Sequence, residues 1–175
     1  MAVLIEAISV VLRCESIVKR FSGGIEYFIS SLPNRTLCSD GELACINFMV
    51  PADVKNYVEY LISQGLVFKD SEMAVDLVVV DQKRGMTSDC DWVIFGEADW
   101  NNDPTCPISV CQYFQSKMTH VVVPEGWAYS SSLSAGSNFI DGENIPSSLK
   151  FVRHEGDTDV LRDESTRQEF FVRRS

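Results

Sequence analysis

The stretch Glu42–Phe68, ELACINFMVPADVKNYVEYLISQGLVF, decides the fold class. Leu43 to Val50 is an almost unbroken apolar run, as expected of a strand buried on both faces and covered by helices on at least one side. Pro51-Ala52-Asp53 then opens a helix that Gly65 closes. Val54, Tyr57, Val58, Leu61 and Ile62 recur at the spacing of one helical face. Pro51 suits a first turn, where no helical partner exists for a backbone N–H. Asp53 favours the positive end of the helix dipole, and Gly65 can adopt the positive φ of a helix terminus. Asn47 stands out as a polar residue inside the apolar strand, and it needs a hydrogen-bond partner if buried.

The chain has 175 residues, 45% hydrophobic and 23% charged, enough for one domain with a sizeable core. The expectation is a single α+β domain over 1–175, with a possible subdivision into a strand–helix core (1–104) and a loop-rich extension with a closing hairpin (105–175). Net charge is −10, which argues against nucleic acid, because phosphate binding needs a basic face. The charge is uneven. Asp70 to Asp103 carries nine acidic residues against Lys83 and Arg84, net −7, whereas Lys150 to Ser175 is balanced.

The apolar start, Ala2 to Leu12, lacks a basic n-region, is interrupted by Glu6, and is too short to span a bilayer. It reads as a buried strand over Ile5–Arg13, with no membrane partner expected and the cytoplasm as location. Six cysteines with no CxxC, one of them in the core strand, point to reduced thiols rather than disulfides or a zinc site.

Further along, Ser16 can cap a short helix holding Ile17, Val18 and Phe21. Ser22-Gly23-Gly24 interrupts it, and Ile25 to Leu32 continues a helical face. Val75–Val80 and Trp92–Phe95 read as two strands of one hairpin with a long tip. Pro107–Phe114 reads as a helix, from Pro107 and the three-residue spacing of Ile108, Cys111 and Phe114. His120–Val123 is a short strand. Ser130–Ser148 is a serine-rich loop around Gly136, Gly142 and Pro146, long enough to serve as a lid or contact loop. Leu149–Arg153 and Glu169–Arg173 form a C-terminal β-hairpin, with Asp157–Leu161 a further strand and Asp163–Thr166 the turn.

This order gives an α+β fold: a mixed, mostly antiparallel sheet with helices mainly on one face. Part of it resembles the split β-α-β arrangement of ferredoxin-like domains. Leu43–Phe68, about one sixth of the chain, is similar in its strand–helix shape to a half-module of the glyoxalase and dioxygenase superfamily. That resemblance implies a metalloenzyme with His and Glu on facing strands. Here both histidines, His120 and His154, lie in the second half, so the metal pattern is unmatched and no family follows.

The densest chemistry lies between Asp81 and Trp100. Asp81, Arg84, Asp89, Asp91, Glu97 and Asp99 beside Trp100 could meet a polar ligand or a basic partner. Asp89 and Asp91 point the same way on an extended chain. The competing reading is a solvated hairpin surface with Trp92 in the core. Trp127 and Tyr129, beside the serine-rich loop, suit either a ligand wall or a cap on the core. No GxSxG, P-loop, GxGxxG or HExxH occurs, and buried, inert cysteines are expected rather than a Cys–His nucleophile pair. The first expectation is therefore a non-catalytic binding or protein-interaction module, acting through an acidic surface on a partner protein or its own copy, without cofactor or metal. The second is a small-molecule binder or enzyme with a pocket near Trp127–Ser148.

Overall fold

The first apolar run does not form one strand. In the computed structural model, which describes residues 1–132, 139–140, 145–156, 158–167 and 169–173, it breaks at Glu6–Ala7 into β1 (Ala2–Ile5) and β2 (Ile8–Arg13). Two helices follow, α1 (Cys14–Arg20) and α2 (Gly24–Ser30), then β3 (Cys38–Ser39), β4 (Leu43–Phe48) and α3 (Pro51–Ser63). Next come β5 (Lys69–Asp70), β6 (Met73–Ala74), β7 (Leu77–Asp81), β8 (Gly85–Met86), β9 (Val93–Asp99), β10 (Pro107–Tyr113) and β11 (Val121–Val122). The described chain ends with β12 (Phe139–Ile140), β13 (Leu149–Glu155), β14 (Thr158–Asp163) and β15 (Glu169–Arg173).

The result is an α+β fold with mostly antiparallel sheets. One five-stranded sheet has the order β3-β4-β2-β7-β8, and a four-stranded sheet has the order β11-β1-β10-β9. β2 is antiparallel to both β4 and β7. The unit β4–α3–β7 is therefore a split β-α-β, two parallel strands with β2 between them. α1, α2 and α3 cover one face of the five-stranded sheet, where Leu12, Ile46, Leu61 and Leu77 pack with Phe21 and Phe28. The other face packs on the four-stranded sheet through Val3, Ile5, Val11, Cys45, Val78 and Cys111. On the far side of the four-stranded sheet, Leu4, Ile108 and Val110 meet an aromatic layer containing Trp100, Trp127 and Tyr129. The last four strands form their own sheet, β12-β15-β14-β13, in which β13, β14 and β15 make an antiparallel meander. Its turn is held by Asp163, whose carboxylate accepts from the Ser165 N–H at 2.9 Å.

The Glu42–Phe68 unit forms as its pattern predicts, with one exception. Val54, Tyr57, Val58 and Leu61 are buried, but Ile62 is exposed at the margin of the face. Gly65 takes φ +107. Leu66 N–H donates to Leu61 O and Gly65 N–H to Ile62 O, so the helix closes in a Schellman turn.

Three other expectations change. Pro107–Tyr113 is a strand, because its side chains alternate: Ile108 and Val110 face the aromatic layer, while Cys111 faces the five-stranded sheet. A three-residue spacing of apolar groups did not distinguish this from a helix, and pairing with β1 and β9 decides it. The two strands near Val75–Val80 and Trp92–Phe95 do not pair with each other. β7 joins β2 and β8, and β9 joins β10. Ser16 is buried inside α1 instead of capping it, and Arg13 occupies the cap position. Residues 133–138, 141–144 and 157 lie outside the described residues, so most of the serine-rich loop and the start of the Asp157–Leu161 strand are not placed.

Asp76 is a fold determinant that the sequence pattern did not flag. It is 2% exposed. Both its carboxylate oxygens accept from Arg20 at 3.1 and 3.2 Å, and one also accepts from the Val67 N–H at 2.7 Å. It ties α1 to the segment after α3. Gly65 lies at the same junction: a Cβ there would stand 2.6 Å from the Arg20 carbonyl oxygen. Gly65→Ala therefore adds a backbone clash to a positive-φ strain of about 1–2 kcal/mol. We expect it to lower the urea midpoint by the equivalent of about 2–3 kcal/mol, without changing the slope of the transition.

Candidate functional site

A charged residue in a run of twelve mostly apolar ones is the local signal for this site. Glu6 is 8% exposed and sits where the chain leaves the four-stranded sheet for the five-stranded one. The next residue, Ala7, has φ +49, a conformation uncommon outside glycine, asparagine and aspartate. Such a corner frees backbone groups from both ladders, and nearby side chains take them up. Gln82 Oε1 accepts from the Ala7 N–H at 2.6 Å, and the Gln82 N–H donates to the Ala7 carbonyl at 3.0 Å. The Glu6 N–H donates to Ser9 Oγ at 3.2 Å, and Ser9 Oγ donates to Asn47 Oδ1 at 2.6 Å. Asn47 thus has the partner its buried position requires. Its backbone is fixed as well, with its N–H donating to Thr36 Oγ1 at 2.8 Å and its carbonyl accepting from Asn34 Nδ2 at 2.8 Å.

The Glu6 carboxylate is held from the aromatic layer. Oε1 accepts from the Trp127 indole N–H at 3.0 Å and from the Ser132 hydroxyl. Trp127 is itself wedged edge-on between Trp100, at 4.7 Å between ring centroids, and Tyr129, at 6.5 Å. A cavity of about 250 Å³ opens beside this carboxylate. Its walls include Ala7, Phe48, Met49, Pro124 and Trp127, and its polar groups include Glu6, Asn47, Thr36 and Arg35. The arrangement is an apolar cleft with a few convergent polar groups, as in small-molecule sites.

Of the residues singled out from the sequence, Trp100, Trp127 and Tyr129 come together, and Trp127 reaches the cleft. The others are spread along the chain. Asp81 closes its own turn, accepting from the N–H groups of Lys83 and Arg84 at 2.8 and 3.0 Å. The Asp89 carbonyl accepts from Ala74, and Asp91 is exposed just before the buried Trp92. Trp92 donates to the Ala74 carbonyl at 3.0 Å. Glu97 and Asp99 are exposed on β9, an edge strand. Among the described residues, none of Asp89, Asp91, Glu97 and Asp99 joins an ion pair.

The cysteines are unpaired. Burial pushes the Cys45 and Cys111 thiols well up and raises Cys14 and Cys90 as well. That opposes the thiolate a nucleophile needs. Cys111 is buried between the sheets while His120 is exposed. Among the described residues, no three His, Cys, Asp or Glu side chains converge as a metal site, and no helix is long and apolar enough to cross a membrane. Sequence reasoning missed Glu6, Gln82, Ser9 and Thr36 as a set, because their convergence depends on strand pairing.

No protein-family model matches this chain, and neither a curated protein nor a solved structure matches it.

If the indole holds the Glu6 carboxylate, Trp127→Phe keeps a ring in the aromatic layer and removes only the donor. Hydrogen bonds to charged groups contribute about 1.5–3 kcal/mol. We expect Trp127→Phe to lose about that much in urea unfolding, whereas Trp100→Phe, which loses no hydrogen bond to Glu6, should lose less.

Proposed function

We propose that this chain is a non-catalytic cytoplasmic binding protein that holds a small amphipathic molecule in the Glu6–Trp127 cleft. The observation that carries the reading is the buried Glu6 carboxylate. It lies beside an apolar-walled cavity and is oriented by Trp127 and Ser132. A carboxylate that served only packing would be replaced at lower cost by an apolar residue. The cavity, about 250 Å³, falls just under the ~300–1,000 Å³ common for ligand clefts, so a compact metabolite suits it. Cytoplasmic residence is supported by six unpaired thiols, four of them raised by burial.

A protein partner on the acidic surface is the competing proposal. The exposure of Asp91, Glu97 and Asp99 supports it. Yet Glu97 and Asp99 also have a local role on β9, since charges on an edge strand discourage edge-to-edge pairing. The two readings separate in one experiment. The ¹⁵N-labelled chain is screened by NMR against a metabolite library, with the Trp127 indole N–H as reporter. The cleft reading expects at least one compound that shifts this signal saturably and raises the melting temperature by mass action. No shift at Trp127, together with loss of a pulled-down partner on charge reversal at Asp89, Asp91 and Asp99, would favour the acidic surface instead.

A further inference from the structure

A second, larger hollow of about 680 Å³ lies between α2, the turn that follows it, and the side of α3 that carries Asp53, Asn56, Tyr57 and Tyr60. Four aromatic rings line it: Tyr27, Phe48, Tyr57 and Tyr60. Among the described residues, the one charged group in its lining is Asp53, and no Lys, Arg or His contributes. Phe48 and Tyr57 stand 5.4 Å apart at 41°, and Tyr57 and Tyr60 stack at 6.1 Å and 23°, so three rings run in a row from the strand along the helix. Tyr27 comes from α2. It is positioned by Gly23, whose hydrogen leaves room for the Tyr27 Cβ: a methyl there would sit 2.8 Å from it.

Phe48 and Tyr57 are buried in the core, but packing alone does not account for the Tyr27 ring or the Tyr60 hydroxyl. Tyr27 is 48% exposed, so its ring is held at a helix surface rather than in the core. The Tyr60 hydroxyl is buried without a hydrogen-bond partner among the described residues. A phenylalanine would fill the same volume without stranding a polar group. Tyrosine rings present a stronger negative face to a cation than phenylalanine does. Burial pushes the Tyr57 hydroxyl upward, so the ring stays a neutral phenol at physiological pH.

We infer that this hollow binds the alkylammonium group of a free small molecule, with Tyr27 and Tyr60 beside the cation, Tyr57 stacked behind Tyr60 in the wall, and Asp53 as the counter-charge. Aromatic rings attract quaternary ammonium groups through their quadrupoles, and a lone carboxylate with no competing base sets the sign of the ligand. A free molecule is favoured over a peptide side chain by the walls. They are helix side chains and a turn; Phe48 at the end of β4 pairs with Ile8 of β2, and on the other side the Asn47 backbone N–H and carbonyl are already taken by Thr36 and Asn34. No strand edge is offered here to a peptide backbone.

The test is a titration of the full chain with choline, and separately with 3,3-dimethylbutan-1-ol, its neutral carbon isostere, followed by NMR and calorimetry. Choline should bind at about millimolar or tighter and shift Tyr27, Tyr57 and Tyr60, and the isostere should bind about tenfold or more weakly. Tyr27→Ala, at an exposed position, should weaken choline about tenfold, and Asp53→Asn should weaken it several-fold. Tyr60→Phe should retain most of the binding, since the ring remains. Equal binding of choline and the isostere, or no choline binding up to about 50 mM, would overturn the inference. So would choline shifts confined to Trp127. Tighter binding of a trimethyllysine peptide than of choline would overturn the assignment to a free molecule.

Discussion

The structure depends on how the first apolar run turns a corner. β1 and β2 are separated only by Glu6 and Ala7 but belong to different sheets. Both sheets are thereby anchored to one short length of chain, and the core between them is built on its inward-facing residues, Val3, Ile5 and Val11. At such a corner the backbone leaves one ladder before it enters the next. Its donors and acceptors must then be met by side chains, or the buried corner carries unpaired polar groups. Gln82 from the far end of β7, Ser9, and through it Asn47 on β4 meet them. The two longest strand pairings of the five-stranded sheet, β2 with β4 and β2 with β7, are thus fastened at the same point as the turn itself.

The candidate cleft follows from this geometry. Bending the chain at Ala7 opens a space that the strands cannot fill, and Pro124–Trp127 closes it from the opposite side. Glu6 faces it with its carboxylate already hydrogen-bonded. The aromatic layer of Trp100, Trp127 and Tyr129 therefore serves two purposes: it covers Leu4, Ile108 and Val110, and it orients the one carboxylate buried in the first strand run. The acidic residues between Asp81 and Asp99 are distributed instead along turns and an edge strand. There, individual residues close a turn, as Asp81 does, or keep an edge strand charged.

What was legible in the sequence was local. The strand, helix and stop from Leu43 to Gly65 carry their own punctuation in Pro51, Asp53 and Gly65, and the structure follows it. The polar exception at Asn47 was legible as a need, and Ser9 supplies the partner. Pairing was not legible. Pro107–Tyr113 has apolar residues at both two- and three-residue spacings, and only its place between β1 and β9 selects the strand. β7 and β9 looked like a hairpin because they are neighbours in sequence, yet each found a partner elsewhere. The site was half legible. Trp127 and Tyr129 stood out by type, but Glu6 read only as an interruption of an apolar run. Its meaning depends on Trp127 and Ser132, more than a hundred residues away.

The most direct measurement of the central claim is native-state hydrogen exchange at the Ala7 amide, whose partner is Gln82 Oε1. If the corner fastens both sheets, this amide should exchange only through global unfolding. Its opening free energy should then equal that of core amides in β2 and β4, and theirs should fall in Gln82→Ala, which removes the fastening. Rapid exchange at Ala7 while the β2 and β4 amides stay protected would show that the corner opens alone and that the sheets do not depend on it.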